Sequence, residues 1–96
     1  MRILHLTLTS QWFAMIAAGE KPEEYRAPKP YWASRLVGRE FDIVRFRNGY
    51  SPRSPTMELE WRGLDFGLGR PEWGAGDSPL FIIRLGQILQ APYCQY

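Results

Sequence analysis

Apolar and polar residues alternate from Arg2 to Leu8, with Leu4, Leu6 and Leu8 on one side and Ile3, His5 and Thr7 on the other. This is the period of a strand with its leucine face turned inward. The period then lengthens. Trp12, Phe13, Ile16 and Ala17 recur at helical spacing, Thr9 or Ser10 is placed to cap that helix, and Gly19 is placed to end it in a left-handed turn. Residues 22–26 leave the helix as a short extended piece. Pro28 and Pro30 then break the chain before a compact segment, 31–37, that reads as a helical turn.

Strands follow. Residues 41–46 read as one that ends at Asn48-Gly49. Met57, Leu59 and Trp61 alternate with Glu58, Glu60 and Arg62 in the next, and residues 80–89 form the last and most apolar one. The intervening residues 63–79 carry five glycines and two prolines and read as a long ordered loop. The expected fold is mainly β with short helices, of the α+β class. It is a small barrel of about five to six strands with one N-terminal helix, because closure removes the sheet edges that would otherwise be exposed. OB-type and SH3-like barrels share this pattern.

Length and composition narrow the reading. Ninety-six residues leave room for one core, so residues 1–96 are expected to be a single domain, and 45% hydrophobic residues are enough to build it. No stretch approaches the roughly 18–20 apolar residues of a membrane helix, and the N-terminus has no basic region leading into a long apolar run. Cys94 is the lone cysteine, with no partner for a disulfide or a paired-cysteine metal site. It reads as inert, and a reducing cytoplasm is the expected setting. No cofactor or metal is implied, and nothing in the pattern sets the oligomeric state.

A net charge of +2 excludes a protein that coats nucleic acid by bulk electrostatics. The distribution is uneven. Residues 21–53 hold eight cations against four anions, whereas from residue 54 onward three cations face five anions, so a phosphate-bearing partner would meet the first half.

Candidate chemistry concentrates in Gly19-Glu20-Lys21-Pro22-Glu23-Glu24-Tyr25-Arg26. In an extended 22–26 segment, Glu24 and Arg26 share one face and Glu23 and Tyr25 the other, and Lys21 at the turn can swing to the Glu24 side. A facing lysine and glutamate offer a cationic donor and an anionic acceptor, which suits a base or sugar edge. The alternative is an ion pair that ties the helix exit to the sheet. Tyr50 and Trp73 lie in turn-rich segments where an aromatic ring either stacks on a base or packs in a loop. Arg45 and Arg47 either line a phosphate path or pair across strands with Glu58 and Glu60. Trp12, Trp32 and Trp61 read as core, and His5 as a satisfied core histidine.

Gly19, Lys21, Glu24 and Arg26 match G-x-K-x-x-E-x-R position for position, and by this motif the chain resembles the ASCH domains, relatives of the PUA domains. The same segment, with Lys-Pro-Tyr-Trp, Phe-Arg-Asn-Gly-Tyr, Pro-Glu-Trp-Gly and Phe-Ile-Ile-Arg-Leu-Gly, looks like the small stand-alone ASCH proteins of bacteria and phages. The resemblance implies a barrel with a cleft beside the helix that binds RNA or a modified nucleotide. Lys21 and Glu24 would be the polar pair of that cleft, and Arg26 a phosphate contact or a brace. Arg45, Arg47, Asn48, Tyr50 and Trp73 complete the candidate ligand-binding set. Some small ASCH proteins are amidohydrolases acting on N(4)-acetylcytidine, with a threonine where this chain has Glu24. Binding is therefore the expected role, with an amidohydrolase or RNase as the alternative, and Lys21 and Glu24 as its catalytic candidates. Nucleophilic chemistry would need a hydroxyl from Thr7, Thr9, Ser10 or Ser34 near Lys21.

Overall fold

The alternation in the first eight residues becomes β1, Ile3–Leu8, with Leu4, Leu6 and Leu8 buried. A computed structural model of the chain describes residues 1–93, so the expectation for Cys94 lies outside the described residues. Helix α1, Ser10–Ala17, follows with Thr9 as N-cap and buries Phe13 and Ile16; Gly19, at φ 78°, makes the left-handed turn out of it. Strand β2 is Glu23–Arg26, and α2 is Pro30–Leu36, with proline at its first position and Leu36 buried. Strands β3 (Ile43–Asn48), β4 (Thr56–Gly67) and β5 (Leu80–Tyr93) complete the sheet.

The sheet order is β1-β3-β4-β5-β2, with β1 parallel to β3 and the other pairs antiparallel. One face carries the main core. Leu4 and Leu6 stand beside Val44 and Phe46, which stand beside Leu59 and Met57, and Phe81, Ile83 and Leu85 extend the layer to β5. Phe13, Ile16 and Leu36 cover it from the helices. A smaller cluster of Tyr25, Ala75 and Ile82, joined by Trp73 and Leu80, lies on the opposite face of β5 and β2. The radius of gyration, 12.8 Å, matches the ~12–13 Å of a compact chain of this length.

Two sequence expectations change. The loop assigned to residues 63–79 is shorter, because β4 continues to Gly67. The register shifts between Thr56 and Leu64 let the long β4–β5 pair bend while it stays hydrogen-bonded. The remaining loop contains a 3-10 turn at Pro71–Trp73. The barrel does not close through its backbone: β1 pairs only with β3, and β2 only with β5, leaving a five-stranded open sheet with two short helices. β2 is four residues long and is followed at once by Ala27-Pro28, so there is little strand to offer β1.

Candidate functional site

The site begins at the seam between the two sheet edges, β1 and β2. Arg2 and Leu8 turn their carbonyls toward the β3 side, accepting from Asp42 and Ile43 and from Gly49, so by alternation His5 and Thr7 turn their backbone groups into the seam. On the other side Pro22 accepts from Leu85, which sends the backbone groups of Glu23 and Tyr25 into the seam as well. Arg26 spans the gap. Its Nη1 donates to Glu24 Oε2 at 2.8 Å and to the Tyr25 carbonyl at 3.2 Å, and its Nη2 donates to the Thr7 carbonyl at 3.3 Å. A planar guanidinium thus joins the edges that no backbone ladder joins.

Register explains the rest of the motif. Glu24 faces Ile83 and Arg26 faces Phe81, so both side chains lie on the main-core side of the sheet, while Tyr25 pairs with Ile82 on the other. The expected division of faces along residues 22–26 is therefore what the chain adopts. Lys21 donates to Glu24 Oε1, so both carboxylate oxygens of Glu24 are engaged by cations. The Lys21 ammonium also lies 5.0 Å from the Trp12 ring centroid and 5.4 Å from that of Tyr25. With exposures of 2% and 3%, Lys21 and Glu24 are buried. The cleft position expected for them is corrected on this point, and the motif residue that lines open space is Arg26.

The rings over Lys21 are themselves held down. A Cβ on Gly74 would come within 2.8 Å of Trp12, and one on Gly69 within 2.7 Å of Tyr25, so the loop after β4 packs its glycine backbone directly on both rings. The Tyr25 hydroxyl donates to Glu23 Oε1 at 2.5 Å and accepts the Arg70 backbone N–H at 2.9 Å, and Arg84 pairs with both Glu23 and Asp65. Burial pushes the Tyr25 phenol up to about 12, against the opposing backbone donor from Arg70 and with the help of Glu23 as acceptor.

A cavity of about 420 Å³ opens at the seam, lined by His5, Leu6, Thr7, Arg26, Tyr31, Trp32 and Tyr50. The Arg26 guanidinium lies 5.0 Å from the Trp32 ring centroid, and Tyr31 meets Trp32 edge-on at 4.9 Å. Beside it, His5, Leu6, Thr7, Arg45, Arg47 and Thr56 line a cavity of about 290 Å³. A third, of about 500 Å³, runs from His5 to Ser34, Arg35, Arg39 and Phe41.

Of the sequence-predicted residues, Lys21, Glu24 and Arg26 come together, Tyr50 joins Arg26 across the seam cavity, and Arg45 and Arg47 line the neighbouring one. Asn48 and Trp73 do not join them. Asn48 Oδ1 accepts from Ser10 Oγ at 3.0 Å and fastens α1 to β3, and Trp73 packs on the opposite face near Tyr25 and Ala75. Arg45 pairs with Glu58 as its register partner, whereas Arg47 stands opposite Thr56, which has no charge to offer. Among the described residues no hydroxyl hydrogen-bonds the Lys21 ammonium; Ser34 instead donates to the Tyr31 carbonyl.

His5 is the clearest miss. It is exposed, not a core histidine, because it shares the outward face with Thr7, and that alternation was the available signal. Trp12 and Trp32 are half-buried covers for Lys21 and Arg26, and Trp61 packs half-buried on Phe41 at the core's edge. Comparison with protein-family models, with curated proteins and with solved structures returns no match to this chain. Among the described residues no cluster of His, Cys, Asp and Glu could hold a metal ion, and no helix is long and apolar enough to cross a membrane.

Proposed function

We propose that this chain is an ASCH-type, PUA-like domain that binds RNA or a nucleotide, with the base held in the seam cavity between β1 and β2. In this reading Arg26 completes the barrel by side-chain contact and presents the buried motif to the ligand. The observation that carries the proposal is the lining of that cavity. One guanidinium, three aromatic rings and the polar edge of β1 converge on a space within the range of small-ligand sites, and rings beside a cation are what an unpaired base needs for stacking. The backbone groups that His5 and Thr7 turn into the seam can read a base edge by hydrogen bonding.

Binding is favoured over hydrolysis because Glu24 accepts from a cation at each oxygen and is buried, which leaves it poorly placed to take a proton from water. A cytoplasmic setting belongs to the same reading. The experiment is a thermal-shift panel of nucleosides, nucleotides and short single-stranded RNAs. A specific ligand at 100 times its Kd raises stability by about 2.7 kcal/mol, and a panel with no shift at any concentration contradicts the proposal.

A further inference from the structure

Resting on that reading, we infer that the ligand carries a phosphoryl group, seated in the outer-face cavity formed by His5, Thr7, Arg47 and Thr56 next to the base site. Three observations converge there. The two cavities share His5, Leu6 and Thr7, so they adjoin along β1. The neighbouring strand β3 sets Arg47 beside Thr7 in register, so this cation stands next to the β1 residues that the two cavities share. The charge is also unbalanced at the right place. Arg45, which lines this cavity, is engaged by its register partner Glu58 on β4 through two guanidinium nitrogens at 2.5 and 2.6 Å. Arg47, opposite Thr56, has no acidic partner among the described residues.

The remaining lining consists of donors suited to phosphate oxygens. The His5 imidazole is exposed and supplies an N–H in either protonation state, Thr7 and Thr56 supply hydroxyls, and the Arg47 fork supplies paired N–H groups. The phosphoryl group has two sources, the terminal phosphate of a free nucleotide or the phosphodiester of an RNA. The shared chemistry is a tetrahedral phosphate oxyanion carried one sugar away from a base.

The test measures affinities of the intact chain for a nucleoside, its 5′- and 3′-monophosphates and the corresponding dinucleotide. Wild type, Arg47→Ala and Arg53→Ala are compared, Arg53 being an exposed cation outside all three cavities. The phosphate should raise affinity over the nucleoside about tenfold or more. Arg47→Ala should erase that gain, and Arg53→Ala should keep it. A gain confined to a monophosphate points to free nucleotides, and one that persists in the dinucleotide points to RNA. Equal affinity for nucleoside and nucleotide, or equal losses in the two arginine variants, overturns the inference while leaving the base site standing. If no nucleoside or nucleotide binds, the functional reading fails. The phosphate site is then decided by titrating inorganic phosphate against the NMR signals of His5, the single histidine in the sequence, whose immobility would refute it.

Discussion

The Arg26 guanidinium on β2 donates to the Thr7 carbonyl on β1 at 3.3 Å, joining two residues nineteen apart in sequence whose strands sit at opposite ends of the sheet order. The same group holds Glu24 and the Tyr25 carbonyl, so one side chain ties both sheet edges to the buried motif.

Arg26→Lys tests the clasp. A lysine keeps the charge but has a single nitrogen, which cannot serve Thr7, Tyr25 and Glu24 in the fork geometry of a guanidinium. The expected loss in urea unfolding is about 1.5–3 kcal/mol, the range for a charge-assisted hydrogen bond. An unchanged midpoint would mean that the seam is held shut by packing alone.

The buried pair beside it should respond asymmetrically. Glu24 is held by two cations, whereas Lys21 has Glu24 as its only ion-pair partner among the described residues. Glu24→Gln strands a buried ammonium and should cost about 3–5 kcal/mol, while Lys21→Met leaves Glu24 with Arg26 and should cost distinctly less. Denaturant unfolding of both variants decides it, and a larger loss for Lys21→Met contradicts the geometry.

Stability should fall in strong base through Tyr25. Its phenol is raised to about 12 in the fold from 10.0, so as pH rises the unfolded chain releases this proton first. The contribution is therefore whole below about pH 10 and lost progressively between about 10 and 12. Tyr25→Phe should be less stable than wild type near neutrality, having lost its bonds to Glu23 and Arg70, but should lack this part of the alkaline decline. Parallel stability curves for the two proteins across that window would rule out the assignment.

The elements were legible wherever one periodicity ran unbroken. Leu4, Leu6 and Leu8 marked β1, Phe13 and Ile16 marked α1, and the alternation of residues 22–26 separated Glu24 and Arg26 from Glu23 and Tyr25. Burial of Lys21 was not legible, because it depends on Trp12 and Tyr25 closing over the ammonium and on Gly69 and Gly74 packing on those rings from a loop some fifty residues downstream. The lining role of Tyr31 and Trp32 was hidden for the same reason: α2 reaches the seam only once β2 has taken its place at the end of the sheet. His5 could have been placed, since the leucine face was already assigned inward and His5 stood on the other.

Tyr50 offers the most direct test of a base bound at the seam, because it lines the cavity yet is 86% exposed, so its removal should leave the fold untouched. The measurement is the affinity of Tyr50→Ala and wild type for the best single-stranded RNA or nucleotide, with thermal unfolding followed alongside. The account predicts an unchanged melting temperature and an affinity reduced by about 1–3 kcal/mol, the worth of a base–aromatic stack. Equal affinities for the two proteins would contradict it and move the ligand, if one binds, away from the Arg26 seam.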